Sequence, residues 1–199
     1  MKYLIILTFW TMLISSAYAT TNILFMGDSL TEGQGVDEQQ SFPRLVERNF
    51  LAQKRDIAVT NGGVNGSTSA SGESRLKWHL KKKIDILVLE LGANDGLRGL
   101  KIPQTEKNLR KIIKIAKENK VKVLLLGLLM PPNYGKKYVT EFKEMYEKIS
   151  KVEKIPLMPF ILKDVAGITD YNQADGIHPN AKGHEIIAKK VTDFVEANL

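Results

Sequence analysis

Four short stretches hold the side chains of this chain that could break an acyl bond: "GDSL" at residues 27–30, "GVNGST" at 63–68, "GAND" at 92–95 and "DGIHP" at 175–179. Ser29 lies in the first. A serine hydroxyl is a poor nucleophile until a positioned base takes its proton. The base on offer is His178, which precedes a helical stretch and follows Asp175 by three residues. Gly176 and Pro179 let this loop turn both side chains toward one place. A carboxylate beside an imidazole fixes its tautomer and stabilises the imidazolium that forms. Acyl transfer also needs donors aimed at the oxyanion. The candidates are the Ser29 N–H near a helix start, the Gly66 N–H, which no side chain of its own obstructs, and the Asn94 side-chain amide. Of the three histidines, His79 beside Trp78 and His184 in the last helical stretch read as structural. Asp28 reads as a turn and helix-start residue.

The serine is not in the G-x-S-x-G elbow of one hydrolase class: Leu30 is followed by Thr31, and the next glycine is Gly33. It therefore depends on what the elements bring near it. Asn22–Met26 reads as a short buried strand, and Pro43 opens a helix running to about Leu51. Asp56–Thr60 is a second strand and Ser71–Lys83 a helix. The run "IDILVLELG", Ile84–Gly92, is the clearest strand. Leu109, Ile112, Ile113 and Ala116 fall at helical spacing with lysines opposite. "VKVLLLGLL" is a fourth strand, Tyr138–Lys154 a helix, Ile155–Phe160 a fifth strand, and Ala181–Ala197 a closing helix. Strand and helix in alternation imply an α/β fold, a parallel sheet covered on both faces. In such sheets the ligand crevice lies beyond the carboxyl ends of the strands, which is where the polar, glycine-rich turns fall.

The four stretches, taken in order, resemble the sequence blocks of the SGNH (GDSL) hydrolases, and the likeness covers nearly all of the chain beyond residue 19. The resemblance implies a flavodoxin-like three-layer α/β/α sandwich with a five-stranded parallel sheet. It also implies Ser29 as nucleophile, Asp175 and His178 as acid and base, and Ser29, Gly66 and Asn94 as the oxyanion hole. "ELGANDGLRG" and "PPNYGKKY" look especially like a branch of bacterial periplasmic esterases with broad esterase, thioesterase and lysophospholipase activity. In that branch Asp95, Leu97, Leu100, Met130, Pro131, Asn133 and Tyr134 would flank an acyl cleft. Many members carry an acidic residue where this chain has Ser67, a change that removes no catalytic group. The implied reaction is acyl-ester hydrolysis through an acyl-serine intermediate, with no metal or cofactor. Relatives with the same blocks remove acetyl groups from carbohydrates, which is the alternative reading. A non-catalytic lipid- or glycan-binding module would leave the complete residue set without a use.

Residues 1–19 are expected to be a secretory signal peptide. Lys2 is a basic start, Leu4–Ile14 an apolar run, and Ala17-Tyr18-Ala19 an A-x-A cleavage site. The run is shorter than the roughly 20 residues of a spanning helix. An exported protein, periplasmic or secreted, of one domain from residue 20 to residue 199 follows. The absence of cysteine excludes disulfides and thiol chemistry. Formal net charge is +7, mostly lysine. It fits solvated helix faces and a weak attraction to anionic lipid surfaces. No aromatic-interleaved basic patch or groove-reading motif points to nucleic acid, and no interface pattern argues against a monomer.

Overall fold

The computed structural model describes residues 20–199, so the expected signal peptide lies outside the described residues. Five parallel strands, β1 (Thr21–Gly27), β2 (Ile57–Gly63), β3 (Ile86–Leu89), β4 (Lys122–Leu126) and β5 (Leu157–Met158), form one sheet in the order β2-β1-β3-β4-β5. In β1, Ile23, Leu24, Phe25 and Met26 are all buried, because a parallel strand covered on both faces needs apolar residues at successive positions. The register pairs Gly27 with Gly63 and Met26 with Leu89, which aligns the carboxyl ends of the central strands.

The helices are α1 (Ser29–Glu32), α2 (Phe42–Ala52), α3 (Gly72–His79), α4 (Ala93–Leu97), α5 (Ile102–Glu118), α6 (Lys136–Glu153) and α7 (Ala181–Glu196). Parallel crossovers are right-handed. The step from β1 to β2 runs one way along the sheet, and the later steps run the other way. The helices therefore divide between the faces. α2 and α7 pack together on one; α3, α5 and α6 stand side by side on the other. The chain direction reverses between β1 and β3, so the crevice of the fold opens at their carboxyl ends. The expected three-layer α/β/α architecture is the observed one.

The boundaries differ from the sequence reading where local chemistry intervenes. β2 continues through Asn61-Gly62-Gly63, expected to be a turn. β3 starts two residues late because the Asp85 carboxylate accepts the Asn22 N–H at 2.8 Å. β5 keeps two residues of an expected six, since Pro156 and Pro159 bracket it and cannot donate to a ladder. α3 ends at His79 rather than Lys83, its final turn tightening through Lys81 N–H to Trp78 O. α1 forms where the sequence reading put a helix start after β1; α4, a short helix after β3, was expected only as a turn. Among the described residues no helix is long and apolar enough to cross a membrane.

Candidate active site

Ser29 is the first residue of α1, set immediately past the end of β1. Asp28 caps this helix by accepting the Leu30 N–H at 3.1 Å, and Gly33 ends it in the left-handed conformation. Gly27 must be glycine: a Cβ there would overlap the Thr31 hydroxyl and the Glu90 carboxylate. That close approach presses the turn against the end of β3 and leaves Ser29 only 8% exposed.

His178 arrives from the far end of the chain, on the loop before α7. Its Nε2 lies 3.0 Å from Ser29 Oγ, and its Nδ1 lies 2.6 Å from Asp175 Oδ2. Asp175 Oδ1 accepts the His178 N–H at 3.0 Å and the Ile177 N–H at 2.9 Å. The bond from the His178 N–H, then the imidazole and the Ile177 N–H, hold the Asp175 carboxyl down to about 2. Its side chain is 42% exposed, so these hydrogen bonds rather than burial keep it in place. The loop is anchored by Gln173 Nε2, which donates to Gln34 O at 2.7 Å and Pro179 O at 2.9 Å. Ser29, 149 residues from His178 in the chain, forms one hydrogen-bonded series with it and Asp175.

Asn94 is the second residue of α4, a few residues past the end of β3, and its Nδ2 donates to Asp28 Oδ2 at 3.3 Å. An amide nitrogen carries two hydrogens, so one remains for a ligand. The Ser29 N–H belongs to a first helical residue and has no intrahelical acceptor. Gly66 lies in the β2–α3 connection at φ 70°, and Arg98 Nη2 holds its carbonyl at 3.0 Å. The positive φ, not shortage of space, selects glycine here, since a Cβ would meet nothing nearer than 3.7 Å. Neither the Ser29 nor the Gly66 N–H has a partner among the described residues.

Behind this rim lies a carboxyl pair that the sequence reading missed. Glu90 is fully buried, and its Oε2 accepts the Thr31 hydroxyl at 2.8 Å and the Asp28 N–H at 3.3 Å. Burial raises both carboxyls, and the Asp28 charge raises Glu90 further. Nothing in "LELG" marks an acid inside an apolar run as paired, although an acid in such a run is itself a signal. Arg75 Nη2 ties the two neighbouring strand ends by donating to Gly27 O and Gly62 O.

The residues expected to flank an acyl cleft divide. Asp95 is buried and faces inward, where it accepts the Ser69 N–H at 2.8 Å, the Ser69 hydroxyl at 2.5 Å and the Thr105 hydroxyl at 3.1 Å. Met130 is buried against Gly96. Leu97 is half-buried; Leu100, Pro131 and Asn133 are exposed. The Tyr134 hydroxyl donates to Leu97 O at 3.0 Å and so joins the two loops. Tyr138, which the sequence reading took only as a helix start, adds a 3.0 Å bond to Leu100 O. Among the described residues no cluster of three or more acidic or histidine side chains could hold a metal ion.

A parallel α/β sheet carrying serine, imidazole and carboxylate at its switch-point edge is the architecture of a serine ester hydrolase. Residues 25–186 match the GDSL-like Lipase/Acylhydrolase family, and the chain belongs to it. It is 39% identical over 168 residues, 84% of each chain, to the esterase TesA of Pseudomonas aeruginosa. It is 36% identical over 187 residues, 94% of this chain and 86% of the relative, to thioesterase 1/protease 1/lysophospholipase L1 of Escherichia coli. A crystal structure of TesA superposes with a TM-score of 0.87 at 36% identity, covering 90% of this chain and all of that one. With these relatives, the chain is a carboxylic ester hydrolase of the acyl-serine type.

Proposed function

We propose that Ser29, His178 and Asp175 are the catalytic residues and that Ser29 N–H, Gly66 N–H and the Asn94 amide form the oxyanion hole. The observation that carries this reading is the 3.0 Å approach of His178 Nε2 to Ser29 Oγ, with Nδ1 held at 2.6 Å by Asp175. Ser29 Oγ attacks the acyl carbonyl as His178 takes its proton. The carbonyl oxygen, now negative, is met by the three donors. His178 returns the proton to the leaving group, then removes one from the water that releases the acid. The ionised Asp175 holds Nδ1–H and balances the imidazolium charge. No step needs a metal or an organic cofactor.

The substrates are acyl esters of the arylester, thioester or lysophospholipid kind, entering between the Leu97–Leu100 and Pro131–Tyr134 loops. The protein is exported after cleavage near Ala19, acts as a monomer of one domain, and is weakly drawn to anionic lipid surfaces. Ser29→Ala should abolish turnover of p-nitrophenyl acyl esters while leaving the circular-dichroism spectrum unchanged. A folded variant that kept most of its activity would overturn the assignment. A chain-length series of esters run beside a thioester, a lysophospholipid and an acetylated xylan separates the substrate classes.

A further inference from the structure

Formal charge is sorted between the two edges of the sheet. The connections that enter strands at the amino edge, residues 53–56, 80–85, 119–121 and 154–156, hold seven basic side chains and two acids. Those that leave strands at the catalytic edge, residues 28–41, 64–71, 90–101, 127–135 and 159–180, hold nine acids and three basic side chains. Cations at helix C-termini and acids at N-termini complement the helix dipoles, and part of this sorting is that effect. Three observations exceed it. First, α2, α5 and α6 each give way at this edge to a lysine in the left-handed conformation, Lys54 at φ 57°, Lys120 at φ 61° and Lys154 at φ 50°. This conformation is costly for any residue with a Cβ and is usually given to glycine. Second, the turn after α3 carries three consecutive lysines. Arg55 and Lys83 are paired with acids, but Lys54, Lys81, Lys82, Lys120 and Lys154 make no ion pair among the described residues. Third, Trp78 stands 62% exposed beside them, over a cavity of about 350 Å³ lined with His79 and Lys81–Lys83. An indole next to ammonium groups is the pairing that suits the headgroup layer of a membrane.

We propose that this amino edge docks on anionic phospholipid bilayers and holds the catalytic edge away from the lipid. A bilayer is favoured over a soluble polyanion because the exposed indole has an apolar body to insert. β1 has seven residues at about 3.3 Å each, which lifts Ser29 on the order of 20 Å above the docked face. The six exposed acids of the catalytic edge outnumber its three basic side chains and are repelled by the same surface. A docked enzyme therefore works on esters that reach it through water, not on lipid still packed in the bilayer beneath it. This inference deepens the lipid attraction proposed above and is independent of the chemistry at Ser29.

The test is co-sedimentation of the purified protein, its intact mass recorded, with vesicles of phosphatidylcholine alone or doped with phosphatidylglycerol. Binding should require phosphatidylglycerol and weaken with salt. Each engaged lysine is worth roughly fivefold in partition coefficient, so K81Q/K82Q/K120N/K154N should lose on the order of several hundredfold. Asparagine tolerates the left-handed conformation, and none of these side chains lies in the catalytic site. Unchanged turnover of a soluble ester certifies that the variant is folded; should it fall, the single variant K82Q and a salt titration of the parent carry the test. Trp78 emission should shift to the blue on binding, and W78F should remove that shift. Equal binding of parent and quadruple variant, no binding of the parent at low salt, or retention on heparin without vesicle binding would each overturn the proposal. So would loss of soluble-ester turnover on docking, which would place lipid over the catalytic edge. Inactivity of parent and variant alike toward esters would count against the serine mechanism and leave the docking measurement intact.

Discussion

Asn94 has two amide hydrogens, and one is already given to Asp28. At the scale of single residues this divides the roles of the two. Asn94→Ala removes a donor to the oxyanion and should lower kcat roughly 10²–10³-fold with little change in KM. Asp28→Asn keeps a helix cap but leaves one side-chain oxygen to serve both Leu30 N–H and Asn94. Steady-state kinetics should show a smaller fall, again in kcat, because Asp28 positions a donor and touches no substrate. The pH profile follows from Asp175. Its carboxyl is held down to about 2, so it stays ionised throughout the working range. The acid limb of kcat/KM therefore does not arise at Asp175. A limb steeper than tenfold per pH unit would mean that two essential groups protonate together. Ser29, Asp175 and His178 were legible because their types and the glycines around them are tied to their task. The positioning role of Asp28 was not, because its partner lies 66 residues away and no local spacing encodes that meeting.

At the scale of elements, the site depends on how strand ends and helix starts are fastened. His184, buried in α7, accepts the Phe42 N–H through Nδ1 at 3.2 Å and so joins α7 to the first turn of α2. Burial, and then the nearby His178, hold its imidazole down to about 4. The unfolded imidazole takes a proton near about 6.5, so the folded state binds fewer protons between those values. Stability should therefore fall as pH drops from that value toward 4, by on the order of 1 kcal/mol per pH unit. His184→Asn, whose Oδ1 can replace Nδ1 as acceptor, should flatten this part of a melting-temperature profile. Gly27→Ala should be far more damaging, since its Cβ meets Thr31 and Glu90 inside a packed turn. Little or no soluble protein is the expected result. Periodicity located the long helices well because a buried stripe repeats every turn. It could not delimit α1, whose start Asp28 signalled, and it missed α4; both are too short to show a period and exist because Asp28 and Gly92 start them where strands end.

For the whole molecule, the groups behind the site act on stability in opposite directions. Burial raises Glu90 and Asp28, so the folded state holds protons that the unfolded chain releases above about 4. That contribution is fully present at acid pH and is lost as pH rises through the raised values. Glu90→Gln keeps an acceptor for Thr31 and cannot ionise; its melting temperature should decline less than the parent's between mildly acid and alkaline pH. A parallel decline in both would show that the pair does not govern this range. Asp175 works the other way, and its contribution disappears only as pH falls toward 2.

The sequence by itself determined the strand–helix alternation and the parallel sheet, and it named the groups proposed to react. Those are written in local patterns: apolar runs, helical spacing, glycine and proline in turns. Only the tertiary structure decided that β1 and β3 lie side by side, so that Ser29 and Asn94 face one crevice. It also turned Asp95 inward to hold a loop, paired Glu90 with Asp28, and gathered lysines from four separate turns onto one edge. These are distances between residues far apart in the chain, fixed by the order of strands and the handedness of their crossovers, which no short stretch of sequence contains.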